Sequence, residues 1–234
     1  MLSINFIFII ILLQNERFLF VFGQIPACSP NPVCGCSLNS SSLTRIIGGT
    51  PAGVDVWPWA VSIRVSNAHI CGGTLISPTL VVTAAHCFND VRRQSSLVVT
   101  AGSKYLSMID QKRSISKIYL HRHYESQRYV NDIAILILST PLDTKDRSIG
   151  FMCLPPSTDR FFPSNDQSVF AIGWGISQVD DRVSSDVLRQ VELKTVATSA
   201  ETCANSIYNI NVQFCAGNPG GGKGKSRLTN ARRF

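Results

Sequence analysis

Beyond Arg45, apolar and β-branched residues gather in short runs divided by turn-forming residues. The runs are AVSIRV (60–65), LVVTAA (80–85), LVVTAG (97–102), IAILIL (133–138), SVFAIG (168–173) and LRQVELKTV (188–196). Each is 6–9 residues long, and no long segment with a 3.6-residue period lies among them. Runs of this length and composition predict an all-β chain, an antiparallel sandwich or barrel rather than α/β. No repeat recurs at a fixed period.

The two flanks have a different texture. Residues 24–45, QIPACSPNPVCGCSLNSSSLTR, are rich in Pro, Ser, Asn and Cys and carry no hydrophobic period, which predicts an extended, solvent-exposed segment. Asn39 opens an Asn-Ser-Ser sequon and is a glycosylation candidate on such a surface. Ahead of it, INFIFIIILL is shorter than the roughly 20 apolar residues that span a bilayer. It predicts a signal peptide over residues 1–23, with Val21 and Gly23 as the small residues before the cut. No basic residue precedes the run, and Glu16 and Arg17 interrupt it, so a membrane anchor is the alternative.

Composition narrows the picture further. The chain has 234 residues, 44% of them apolar and only 16% charged, enough for one sizeable domain or two small ones. Its net charge of +7 owes five units to Lys223, Lys225, Arg227, Arg232 and Arg233, and without them the balance is +2. No basic stripe on the body is expected, which excludes nucleic acid as a partner. Eight cysteines point to an oxidising compartment and a secreted, extracellular location.

Three stretches carry chemistry. VVTAAHC places His86 directly after one strand-like run, and NDIAILIL places Asp132 directly before another. RIIGGTPAGVDVWPWAVSI sets Arg45 before two β-branched residues and a glycine pair. Taken singly, a histidine beside a cysteine is a structural residue and an aspartate before a strand is a turn former. Together and in this order, with CGGTLIS, AIGWG and FCAGNPGGGK, they resemble the trypsin-like (chymotrypsin-fold) serine endopeptidases from about Ile46 to Lys223.

That resemblance implies two antiparallel β-barrels and a peptidase domain. His86 would act as general base and then general acid, with Asp132 fixing its tautomer and stabilising the imidazolium. Cleavage after Arg45 by an activating protease would release the α-amine of Ile46, which needs a buried carboxylate partner. Cys71 would pair with Cys87, and Cys203 with Cys215. Cys153 would tether the propeptide (24–45) through Cys28, Cys34 or Cys36, the other two pairing with each other. Val169 stands where many relatives have a further cysteine. Protein or peptide substrates and protease inhibitors are the implied partners, with neither a cofactor nor a metal.

The resemblance then stops. The family continues with Cys-x-Gly-Asp-Ser-Gly-Gly-Pro, whereas this sequence reads GKSRLTNARRF. The peptidase domain is therefore expected to be partial, over 46–222, with a disordered basic tail over 223–234. A second barrel without its last strands would leave unpaired edges. On this reading the chain is a truncated, inactive member; the alternative is a non-catalytic homologue serving as a binding or regulatory module. GKGKS is not a phosphate-binding loop, since Pro219 occupies the position of a required glycine. Gly224, at the expected base of the specificity pocket, would favour aromatic or large apolar side chains. Ala-Arg-Arg-Phe can be encoded by GCA AGG CGA TTC, which one base out of frame spells Gln-Gly-Asp-Ser, so a frameshift is the suggested origin of the tail.

Overall fold

The computed structural model describes residues 9–11, 34–37, 50–53, 57–91, 96–154, 163–175, 184–204, 207–217 and 229–232. In chain order the strands are β1 (Ile9–Ile11), β2 (Thr50–Pro51), β3 (Ala60–Val65), β4 (Ala68–Leu75), β5 (Leu80–Thr83) and β6 (Leu97–Ala101). They continue with β7 (Gln111–Leu120), β8 (Ala134–Leu138), β9 (Ser168–Gly173), β10 (Arg189–Val196), β11 (Gln213–Gly217) and β12 (Thr229–Arg232). A 3-10 turn covers Ala85–Phe88, and one helical turn, α1, covers Glu201–Ala204.

The all-β expectation holds. Six strands close an antiparallel barrel in the order β3-β4-β5-β8-β7-β6. Alternation along each strand sends Val61, Ile63, Leu75, Val81, Leu97, Val99 and Leu136 into its interior, where they are almost fully buried. Each such side chain contributes about 1.5–3 kcal/mol through burial. Irregularities at Ile63/Arg64 and at Ile115/Lys117 bend the ladder as it curls.

The second half is an open sheet ordered β1-β9-β10-β11-β12, with β2 also paired to β10. Its own apolar cluster is small: Val169, Ala171, Leu193, Phe214 and Ala216. Both ends of this sheet come from segments outside the expected peptidase domain. Ile9–Ile11, within the predicted signal peptide, pair with Ile172, Ala171 and Phe170 on β9. Thr229–Arg232, within the tail expected to be disordered, pair with β11. The physical reason is shared: a strand edge presents unpaired N–H and C=O groups, and an extended segment that reaches it satisfies them.

Tryptophans join the halves. Trp57 Nε1 donates to Gln190 Oε1 at 2.7 Å, and its ring meets Trp59 and Phe170, both at 5.9 Å. Trp174 Nε1 donates to the Lys104 carbonyl at 2.8 Å. The backbone adds Leu188 N to Lys104 O at 2.7 Å and Leu106 N to Asp186 O at 2.8 Å. The main apolar core therefore runs continuously from the barrel to Phe170, Ile172, Trp174 and Leu188.

Gly73 on β4 reports how tightly the barrel is filled. A Cβ there would stand 2.7 Å from Val81 Cγ1 and 2.9 Å from Val61 Cγ2. Gly73→Ala is expected to destabilise the chain by about 1–3 kcal/mol, the usual cost of overpacking. Urea denaturation checks this, and an unchanged midpoint would contradict the packing described.

Candidate active site

Two neighbouring strands bring the site together. β5 and β8 pair antiparallel, with Thr83 opposite Ala134. The end of one strand thus lies beside the start of the other. His86 follows β5 within the 3-10 turn, and Asp132 precedes β8. The Cys71–Cys87 disulfide ties the residue after His86 back to β4, and Thr83 Oγ1 donates to the Gly72 carbonyl at 2.8 Å.

Both oxygens of Asp132 are used on His86. The His86 backbone N–H donates to Oδ1 at 2.7 Å, and Nδ1 lies 2.6 Å from Oδ2. Asp132 is 1% exposed, and a buried carboxylate must be met by donors. An ionised carboxylate only accepts, so Nδ1 carries the proton. Nε2 is then the ring nitrogen with a lone pair, and the imidazole is poised to take a proton from a hydroxyl and return it. The Tyr129 ring stands edge-on to His86, with centroids 5.6 Å apart and planes at 87°.

The loop before Asp132 is held in an uncommon conformation. Tyr129 and Asn131 have φ of 52° and 53°, which costs roughly 1–2 kcal/mol for a residue with a Cβ. Local bonds offset this. Asn131 Nδ2 donates to the His123 carbonyl at 3.0 Å, Glu125 N to Val130 O at 2.9 Å and Ile133 N to Asn131 O at 2.8 Å.

A second polar group lies at the barrel's junction with Trp174. Ser62 Oγ is 2.8 Å from His69 Nδ1, and the His69 ring meets Trp174 edge-on at 5.8 Å. Arg64 Nε donates to Ser62 Oγ at 3.2 Å and Thr100 Oγ1 at 3.1 Å, while its guanidinium reaches the Asn67 and Leu106 carbonyls. Burial, reinforced by the Arg64 charge, pushes the His69 pKa down to about 4. No local sequence pattern marks this group. Ser62 and Arg64 alternate in AVSIRV as solvent-facing residues would, yet both are buried. Their partners His69, Asn67, Thr100 and Leu106 all lie within the barrel half.

The remaining sequence candidates fall in two sets. Cys203 joins Cys215, and Cys153 joins Cys34, beside which Gly35 N donates to the Phe151 carbonyl at 2.7 Å. Gly35 has φ of 73°, and a Cβ there would lie 2.9 Å from Cys153 Sγ, so the tether passes where only glycine fits. Cys36 is also disulfide-bonded. Arg45, Ile46, Asn39 and Gly224 lie outside the described residues. Donor atoms of Cys71, His86 and Cys87 lie within 4.8 Å of one another, but both sulfurs are joined to each other and offer no thiolate to a metal.

The folded pKa of His69 lies below its unfolded value of 6.5, so between about pH 6.5 and 4 the unfolded chain binds more protons. Its contribution is fully present above that window and is lost as the pH falls through it. Urea midpoints measured across the window should fall more steeply in the parent than in His69→Gln. Equal slopes would contradict a folded chain that keeps His69 neutral.

Comparison with known proteins places this geometry. The trypsin family profile matches residues 46–227. Transmembrane protease serine 11G of Rattus norvegicus is 30% identical over 203 residues, covering 82% of this chain and 48% of that protein. Transmembrane protease serine 11G of Mus musculus gives the same identity and coverage. The chain thus spans about half the length of the curated relatives it matches. With a closed barrel, an open second sheet and the His86–Asp132 pair, the chain belongs to the trypsin family of serine proteases, built on the chymotrypsin fold.

Proposed function

We propose that the protein is the zymogen of an extracellular serine endopeptidase, and that these 234 residues by themselves do not hydrolyse peptides. The observation that carries the catalytic part is the double hydrogen bond from His86 to Asp132 at 2.7 and 2.6 Å. In this reading His86 Nε2 takes the proton of a serine hydroxyl as it attacks a peptide carbonyl, then returns it to the leaving amine. Asp132 holds the tautomer and stabilises the imidazolium. Substrates are proteins or peptides, and the regulators are an activating protease cutting after Arg45 and protease inhibitors.

The proposed inactivity rests on the residues after Lys223. They read GKSRLTNARRF, where the family carries Gly-Asp-Ser-Gly with the serine that partners the histidine. The family also places there the aspartate that receives the Ile46 amine released by cleavage. Reading the transcript downstream of the Lys223 codon is the direct test of the parent enzyme. Gly-Asp-Ser-Gly-Gly in one of the frames is expected. Its absence from every frame favours a non-catalytic binding or regulatory homologue.

Extracellular placement is supported by disulfides joining distant segments, such as Cys34–Cys153. Secretion after removal of residues 1–23 is the reading taken, and the word transmembrane in the relatives' names favours the alternative of an N-terminal anchor. Among the described residues, no helix is long and apolar enough to cross a membrane. N-terminal sequencing of the mature protein should begin at Gln24 if it is secreted. Retention of residues 1–23 in a membrane fraction would establish the anchor instead.

Trypsin treatment of the refolded chain should clip after Arg45. The propeptide should stay attached on a non-reducing gel through Cys34–Cys153 and leave when a reductant is added. No ester hydrolysis should appear. Turnover that His86→Ala abolishes would overturn the proposed inactivity, and loss of the propeptide without reductant would overturn the tether.

A further inference from the structure

Gln213 opens β11 in the second sheet and is 1% exposed, yet its side chain is entirely engaged by polar groups. Its Oε1 accepts from the backbone N–H groups of Tyr208 and Asn209, both at 3.0 Å. Its Nε2 faces the carbonyls of Arg128 and Tyr129 at 3.5 and 3.4 Å, two long bonds shared by one amide nitrogen. The orientation is set by these partners: turning the amide over would press its oxygen against two carbonyls and its nitrogen against two N–H groups. A second contact spans the same gap, with the Arg128 guanidinium 5.8 Å from the centre of the Tyr208 ring.

Arg128 and Tyr129 belong to the loop that delivers Asp132. Tyr129 is one of its two left-handed residues, and its ring is the one edge-on to His86. A residue in that conformation relaxes unless its surroundings hold it. The Glu125–Val130 bridge and the Asn131 side chain hold it from within the loop. Gln213 holds it from the other half of the molecule.

We propose that Gln213 is a positioning residue, whose side-chain amide latches the Asp132 loop to the second sheet and keeps Tyr129 against His86. Gln213 acts through the Tyr129 backbone rather than on the imidazole itself. The halves of the molecule then communicate directly at the site: movement of the Tyr208–Gln213 segment alters the wall beside His86. This deepens the endopeptidase reading and rests on it for its catalytic consequence, but the latch is measured without substrate, so either can fail alone.

Two variants of the full chain separate the halves of the amide. Gln213→Met keeps length and volume and removes both polar groups. Gln213→Glu at neutral pH keeps an acceptor for Tyr208 and Asn209 but turns an oxygen toward the Arg128 and Tyr129 carbonyls. Hydrogen exchange and the His86 ring-proton shifts are the readouts. In both variants the Glu125 amide should lose protection by about tenfold, and the Tyr129 ring-current shift on His86 should collapse. The Tyr208 and Asn209 amides should lose protection in Gln213→Met and keep it in Gln213→Glu, while the barrel amides of Val61 and Leu136 stay unchanged. If Gln213→Met does not fold, the contrast between Glu125 and Tyr208 within Gln213→Glu decides. Glu125 exchange and His86 shifts within about twofold of the parent would overturn the latch. So would an equal loss at Val61 and Leu136, which would make Gln213 a contributor to general stability only.

Discussion

The pairing of β5 with β8 is the constraint on which the site depends. Leu80, Val81, Val82 and Thr83 lie opposite Ile137, Leu136, Ile135 and Ala134. That register places the turn carrying His86 against the loop carrying Asp132. Val81 and Leu136 point inward and are fully buried, so a slip of one residue would expose them and bury their outward neighbours. The apolar interior thus fixes, through register, a geometry that the polar site does not set for itself. The two hydrogen bonds between His86 and Asp132 then consume both carboxylate oxygens, which is what allows that charge to be buried.

The two halves contribute unequally. The barrel closes on itself and has a filled interior, whereas among the described residues the second sheet is open and shares Phe170, Ile172, Trp174 and Leu188 with the barrel's apolar core. Trp57 and Trp174 carry that connection, each packing an apolar ring across the junction while its N–H finds an acceptor there. Ser62, Arg64 and His69 lie at the same junction, where a neutral, half-buried imidazole stands beside a charged guanidinium. The Asp132 loop, with its two left-handed residues, sits at the other place where the halves meet.

Local pattern explains what was legible in the sequence. AVSIRV and SVFAIG coincide with β3 and β9, because β-branched runs bounded by turn residues leave little choice of conformation. β4 and β7 were not among the runs. Glycines, a cysteine and a histidine hide the alternation of AHICGGTL, and the solvent face of β7 fills QKRSISKIYL with charge. His86 and Asp132 were readable only through the motifs taken together, VVTAAHC and NDIAILIL in order with the rest of the resemblance, since singly each has a structural reading. Gln213 and Tyr129 were not, since their partners lie far away in the chain: Gln213 meets the Tyr129 carbonyl across 84 residues. No periodicity signals such a contact. Pairing of β1 and β12 at the sheet edges was unforeseen for a related reason, because an open edge accepts extended backbone with little regard to its side chains.

In the folded chain a protonated His86 Nδ1 donates to a buried Asp132 carboxylate. Proton NMR of the refolded chain tests it most directly, through the imidazole Nδ1–H resonance. The expected result is a far-downfield N–H signal, slow to exchange with water, that Asp132→Asn removes or moves sharply upfield while the barrel amides keep their protection. A chain that folds but shows no such signal, or one whose signal survives Asp132→Asn unchanged, would contradict it.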